Sequence, residues 1–327
     1  MGAVEIGGVE IAAVYAALPS GEVDNLEALS RLCPERAESI VKTSGVRRRR
    51  VAAPGVAPVD LCVAAARRAL DETGTRDVAA VVFVSFTSPL RMPCAAAVAQ
   101  SMLGLGASTA AFDISLACSG YVYALSVAAM FAQKTGGSVL LLDGDVQSAF
   151  SDPADVATAA VLADGGSATI VRPAAGAAPW KFSFATFGSQ GDALCLGSDG
   201  KIRMDGFGVF RFVAGEVTDR LRAFLGEIGE PPGSFDAFVP HQPNAYMVRE
   251  LARSVRFEQE RTWLSCDGVG NMSSASIPVA IALNAPSRLG GRGGRLALCG
   301  FGGGLSIASA AVEIGGGCRF GTVEHGK

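Results

Sequence analysis

The chain has 327 residues, 49% hydrophobic and 18% charged. That is enough apolar surface for a full core and suits about two domains or one large duplicated unit, so a disordered chain is excluded. Lys plus Arg number 28 against 31 Asp plus Glu, a net charge of −3, which lacks the basic excess of a nucleic-acid binder.

The longest nearly unbroken apolar stretch, residues 121–132, falls short of the roughly 20 residues that span a bilayer. Glu5 and Glu10 interrupt the first apolar stretch and no basic segment precedes it, a pattern that argues against export. The eight cysteines are scattered, with no Cys-x-x-Cys pair. In a chain this long, that fits reduced thiols in a cytoplasm and not a disulfide framework. With only two histidines, His241 and His325, a zinc site of Cys and His pairs is not expected. His325, near the chain end, is expected to be mobile.

In chain order, helical spacing covers residues 61–72, 95–103, 121–133, 209–228 and 246–255. Short runs rich in Val, Ile and Phe occupy 78–86, 110–114, 139–143, 235–240 and 295–301. Short buried strands alternating with helices imply βαβ units and a mostly parallel sheet. A weak internal echo pairs 61–72 and 78–86 with 217–228 and 235–240. The Pro- and Ala-rich residues 172–179 would join the two halves, which places the boundary between 1–172 and 173–327. The basic run 47–50 reads on its own as a solvated turn or strand edge.

Four segments carry residues suited to chemistry. Residues 113–125 end a strand near Ile114 and begin a helix near Cys118 or Ser119. A thiol at that helix start feels the positive end of the dipole and unpaired N–H groups, which favour the thiolate. Gly120 would leave room for a ligand chain. A buried structural thiol is the other reading, and the commoner fate of a cysteine. His241 follows directly on a strand, at the carboxyl edge where α/β sheets build sites. Taken singly it reads equally as a satisfied core histidine. Asn271 sits in a Gly-bounded turn leading to a small-residue helix, a setting that capping alone explains. Residues 300–304 (Gly-Phe-Gly-Gly-Gly) make either a tight turn or a backbone aimed at a developing oxyanion.

Together these segments resemble the β-ketoacyl-ACP synthase III family, thiolase-fold condensing enzymes. The matching motifs are Thr-Ser-Gly-Val-Arg at 43–47, Ala-Cys-Ser-Gly-Tyr-Val-Tyr-Ala-Leu at 117–125 and Met-Asp-Gly-Phe-Gly-Val-Phe at 204–210. They continue with Val-Pro-His-Gln-Pro-Asn at 239–244, Gly-Asn-Met-Ser-Ser-Ala-Ser at 270–276 and Phe-Gly-Gly-Gly at 301–304. The order and spacing hold over nearly the whole chain.

The resemblance implies an α/β, thiolase-like fold of two similar βαβ halves in a five-layered αβαβα arrangement. It implies that Cys118 takes an acyl group from a CoA or carrier-protein thioester. Malonyl on acyl carrier protein then loses CO2 and attacks that acyl group. His241 and Asn271 would stabilise the enolate as neutral donors, the backbone N–H groups of Cys118 and Gly303 would hold the acyl-transfer oxyanion, and Phe301 would orient His241. Arg47, Asn244, Gly206 and Met92 are the implied substrate-binding residues, Met92 reaching the partner's acyl pocket across a homodimer. No cofactor beyond the thioester substrates and no metal is implied.

An amide at 271 favours carbon–carbon bond formation, because a carboxylate there would repel an enolate. The family's adenine-clamping Trp and Arg are replaced by Ser39 and Val156, and Phe207 replaces a polar residue near the pantetheine arm. These departures open the donor to acyl-ACP or an unusual acyl-CoA. Arg249, Arg253 and Arg256 on one helix face offer a dock for an acidic carrier protein, or are an ordinary solvated face. Alternative functions are acyl transfer to an alcohol or amine on the same fold, and a non-catalytic scaffold.

Overall fold

The computed structural model describes residues 2–152 and 154–326. Its strands are β1 (Val4–Ile6), β2 (Val9–Pro19), β3 (Gly21–Asp24), β4 (Arg48–Val51), β5 (Val78–Val84), β6 (Ala110–Ile114), β7 (Ser138–Val146), β8 (Asp164–Pro173), β9 (Trp180–Thr186), β10 (Leu194–Leu196), β11 (Ile202–Met204), β12 (Ala237–Pro240), β13 (Gly293–Gly302), β14 (Ser306–Gly315) and β15 (Arg319–His325). Six form one sheet, ordered β15-β2-β8-β7-β5-β6, and five form a second, ordered β1-β9-β14-β13-β12. Two short ribbons, β3-β4 and β10-β11, lie outside them.

Successive side chains of a strand point to opposite faces, and both faces here are covered. In β5, Ala80, Val82 and Val84 enter the core between the sheets, while Val81 and Phe83 pack under the helix Pro58–Thr73. In β13, Leu296 and Leu298 face the same central core, while Ala297, Cys299 and Phe301 face the helices Thr218–Glu227 and Ala245–Ser254. The helices Gly120–Thr135 and Ser276–Arg288 fill the middle and touch both sheets. The result is the five-layered αβαβα arrangement.

The expectation of a mostly parallel sheet is corrected. Only β15-β2, β5-β6, β5-β7 and β12-β13 are parallel, and the remaining neighbours in the two sheets are antiparallel. Of the antiparallel pairs, only β7-β8 and β13-β14 join consecutive strands; β1-β9, β2-β8 and β9-β14 pair strands distant in the chain, which hydrophobic runs do not reveal. The terminal strands also cross over: β1 joins the second sheet and β15 the first. His325 is therefore not mobile, because it ends β15 opposite Pro19. The helical stretch expected at 209–228 begins at Gly206 and carries a π turn, Val213–Val217, around Gly215. Among the described residues no helix is long and apolar enough to cross a membrane.

Candidate active site

Three chain segments meet at one cavity of about 170 Å³, whose wall includes Cys118, His241 and Asn271. Cys118 sits in the turn between β6 and the 16-residue helix Gly120–Thr135, two residues before that helix begins. The turn is closed by Gly120 N–H donating to the Ala117 carbonyl at 2.7 Å. His241 follows β12, and its own N–H continues the pairing to the Cys299 carbonyl at 2.8 Å. Asn271 is threaded beside the residues that precede β8. Its N–H donates to the Val161 carbonyl and its carbonyl accepts from Ala163 N–H, both at 2.8 Å.

The glycine that makes room at the sulfur is not Gly120. A Cβ there would meet Val84 Cγ1 at 2.7 Å, so Gly120 lets the helix start pack on β5. Gly302 does the work expected of Gly120. At φ +145°, a Cβ on it would lie 2.9 Å from Cys118 Sγ, a conformation and a spacing that exclude side chains.

Burial is the main force on the titratable groups. It pushes the Cys118 thiol up to about 11, and the Asp145 carboxylate adds to the rise. The Ser273 hydroxyl and the backbone N–H groups of Gly303 and of Cys118 itself pull it back. The expected resting thiolate is thus corrected: desolvation outweighs the helix start. The same two N–H groups thus lie beside the sulfur.

His241 is 3% exposed, and burial drops its pKa to about 3, opposed by a backbone hydrogen bond at Ser273. It is neutral near pH 7. Phe301 packs its ring at 81° to the imidazole, with centroids 5.3 Å apart. Asn271 Oδ1 accepts from Ser273 N–H at 2.9 Å. That contact fixes which end of the amide is the oxygen and turns the NH2 away from Ser273 N–H.

Several residues that the sequence reading passed over build this site. Ser276 holds His241 Nδ1 at 2.8 Å. Ser273 stands at φ +53°, fully buried, between the sulfur and Asp145. Asp145 Oδ1 accepts from Ser85 Oγ, Thr87 Oγ1 and the N–H groups of Phe86 and Thr87, yet burial still raises its pKa to about 6. Gln147 lines the cavity and donates to the Asn271 carbonyl at 2.6 Å. The one forewarning in the sequence was the density of Ser and Thr beside an otherwise apolar motif.

The remaining expected residues lie apart from the sulfur. Arg47 is exposed and pairs with Asp267 at 3.2 Å. Its neighbour Arg49 is half-buried, bonding Asn25 Oδ1 at 2.6 Å and the Leu162 carbonyl at 2.9 Å, so that part of the basic run braces the Asn271 segment. Asn244 caps the helix Ala245–Ser254 by accepting from Met247 N–H at 2.9 Å. Gly206 starts the helix that presents Phe207 to solvent, and Met92 is 95% exposed. Arg249, Arg253 and Arg256 line one groove, although Arg256 lies beyond the helix in a left-handed turn, φ +64°.

Comparison with known proteins agrees with this geometry. Residues 112–191 match the family described as 3-oxoacyl-[acyl-carrier-protein (ACP)] synthase III, and residues 225–314 match its C-terminal part. The chain is 35% identical over 314 residues, 94% of each chain, to beta-ketoacyl-[acyl-carrier-protein] synthase III 2 of Streptomyces coelicolor. It is 34% identical over 84% of its length, and 89% of the relative's, to the acetoacetyl CoA synthase NphT7 of Streptomyces sp. strain CL190. Among solved structures, the 3-oxoacyl-(acyl-carrier protein) synthase from Burkholderia xenovorans superposes with a TM-score of 0.95 at 32% identity over 99% of both chains.

Proposed function

The chain belongs to the 3-oxoacyl-[acyl-carrier-protein] synthase III family, and on that premise we propose that Cys118 carries the acyl group while His241 and Asn271 stabilise the enolate of the malonyl partner. The protein is an acyltransferase, a condensing enzyme of fatty-acid or secondary-metabolite biosynthesis. The observation that carries the assignment of roles is the meeting of sulfur, neutral imidazole and amide N–H on one cavity.

In the first step, Cys118 Sγ attacks the thioester carbonyl and the donor's thiolate leaves with the thiol proton. The N–H groups of Cys118 and Gly303 hold the transient oxyanion. In the second step, malonyl-ACP loses CO2, and the electrons of the broken C–C bond form an enolate. Its oxygen is met by the His241 Nε2–H and the Asn271 amide, each such donor being worth about 3 kcal/mol in an oxyanion hole. The enolate carbon attacks the acyl-Cys118 carbonyl, and the sulfur leaves as thiolate. A positive or basic imidazole is not required, which suits a histidine held neutral by burial.

Acyl transfer to an alcohol or amine would need a base to take the nucleophile's proton. A carboxamide is not a base, so Asn271 offers a donor and no general base. Acyl carrier protein is the proposed carrier of the malonyl group, docking at Arg249, Arg253 and Arg256. A homodimer through β6 is supported by that strand standing at the edge of its sheet with Met92 exposed nearby in the chain.

Intact-mass spectrometry with acyl-CoA and acyl-ACP donors, followed by CO2 release from malonyl-ACP, tests the reading. An adduct on Cys118 that is discharged with CO2 and forms a 3-oxoacyl product supports it. Absence of the adduct overturns it.

A further inference from the structure

Gln147 is a polar residue in the wall of the catalytic cavity, and both hydrogens of its amide are spent. It opens the short turn Gln147–Phe150 after β7 and is 3% exposed. Nε2 donates to the carbonyls of Ala163 at 2.9 Å and Asn271 at 2.6 Å. Both partners are acceptors, so exchanging nitrogen and oxygen would set acceptor against acceptor, and the amide orientation is fixed. Oε1 is left turned away from those carbonyls. It accepts from no group among the described residues, and it is not sealed off as a buried orphan.

Thr158 shares the wall and is fully buried. Its single hydroxyl proton goes to Asp155 Oδ2 at 2.8 Å, which leaves it an acceptor only. Phe86, Leu162 and Ile202 bring only carbon, Met204 a weakly accepting thioether and Cys195 a weakly donating thiol. Outside the catalytic groups, the side chains of this wall therefore have no N–H or O–H to give and two oxygens able to receive.

We propose that the acyl group transferred to Cys118 carries a hydroxyl or amino hydrogen that Gln147 Oε1 accepts, so that the preferred donors are substituted acyl thioesters and not plain hydrocarbon ones. This rests on Cys118 being the acylated nucleophile. A saturated chain in the chamber would take a carbonyl oxygen out of water and give it nothing, whereas an O–H or N–H restores the bond. Sites built around a polar partner reject the analogue that lacks it far more strongly than apolar walls reject an extra hydroxyl. An oxo group is polar but brings only an acceptor, so it gains nothing from this wall.

The test uses the full-length enzyme and pantetheine thioesters, so that the carrier arm is constant. Rates of adduct formation on Cys118 are compared by intact mass for hexanoyl, 2-, 3- and 6-hydroxyhexanoyl, and 3-oxohexanoyl donors. At least one hydroxyacyl donor should exceed hexanoyl by about 10-fold or more in kcat/KM, with the 3-oxo donor no better than hexanoyl. In Gln147→Met that ratio should collapse towards one. Because the wild-type ratio needs no variant, a Gln147→Met protein that failed to fold would leave the proposal exposed to refutation. Equal wild-type rates for all acyl groups would overturn it, as would a ratio that survives in folded Gln147→Met. If no thioester adds mass to Cys118, it is the proposed function that fails; if all add mass without regard to the hydroxyl, only this inference fails.

Discussion

His241 Nδ1 lies 2.8 Å from Ser276 Oγ, and the same oxygen accepts from Gln242 N–H at 3.2 Å. The Ser276 hydroxyl therefore holds the Nδ1 edge of the imidazole in place. With that edge held, the plane of the ring is fixed, which the proposed contact of Nε2 with the enolate requires. Ser276→Ala removes that contact. Condensation should fall about 10-fold in kcat, the scale of a misplaced donor, while acylation of Cys118 stays within about twofold. Single-turnover acylation and steady-state condensation, measured side by side, check the split. Equal losses in both would assign Ser276 to packing.

Gly302 predicts a different split. An added methyl would sit 2.7 Å from Cys118 Cβ and 2.9 Å from Sγ, on a backbone at φ +145°. Gly302→Ala should lower acylation by more than about 100-fold, since a misplacement near 1 Å at a reacting centre costs that much. It should also lower the melting temperature, because the strained φ remains. Gly120→Ala should instead act mainly on stability, through the clash with Val84 at 2.7 Å.

The thiol pKa sets a pH dependence. With Cys118 raised to about 11 by burial, the thiolate fraction grows with pH across the neutral range. Iodoacetamide alkylation of Cys118 should rise by about 10-fold per pH unit between pH 6 and 9, with no plateau. His241, lowered to about 3, contributes no inflection there. Its effect is on stability. The unfolded histidine binds a proton below its ordinary value near 6.5 and the folded one does not. It therefore destabilises the fold as pH drops from about 6.5 towards 3. An alkylation plateau below pH 8 would contradict the assignment to burial.

Arg249 and Arg253 are exposed on the helix Ala245–Ser254, with Arg253 paired to Glu250 at 2.6 Å. Reversing both charges, Arg249→Glu with Arg253→Glu, should raise KM for malonyl-ACP by about fivefold or more at low salt. Surface charge acts mainly on encounter, so acylation by a small pantetheine thioester should not change. An unaltered KM for malonyl-ACP would remove this face as the dock.

How much was legible depended on what each residue had to advertise. The strands β5, β6, β7 and β13 show as branched or aromatic runs, and the helix Pro58–Thr73 shows its period. The strand β8 begins Asp-Gly-Gly-Ser and reads as a loop, yet it is buried over most of its length. Its polar side chains are satisfied by distant partners: Ser167 Oγ donates to the Asp143 carbonyl at 3.1 Å, and Thr169 meets the Tyr121 hydroxyl at 3.1 Å. No local pattern announces such pairings. The convergence of Cys118, His241 and Asn271 was legible from motif order. The choice between Gly120 and Gly302 was not, because which glycine faces the sulfur is a fact of three-dimensional approach. Gln147 and Ser276 were hidden for the same reason, each being an ordinary polar residue until a cavity or an imidazole is placed beside it.

The most direct measurement follows one acyl group through both steps in wild type and in Asn271→Asp. Intact mass reports the Cys118 adduct, and trapped CO2 reports decarboxylation of malonyl-ACP. The adduct should form in both proteins, with CO2 release and 3-oxoacyl product reduced by more than about 100-fold in Asn271→Asp, where a carboxylate replaces an oxyanion donor. A wild-type protein that gains no mass at Cys118, or an Asn271→Asp variant that condenses as well as wild type, would contradict the account.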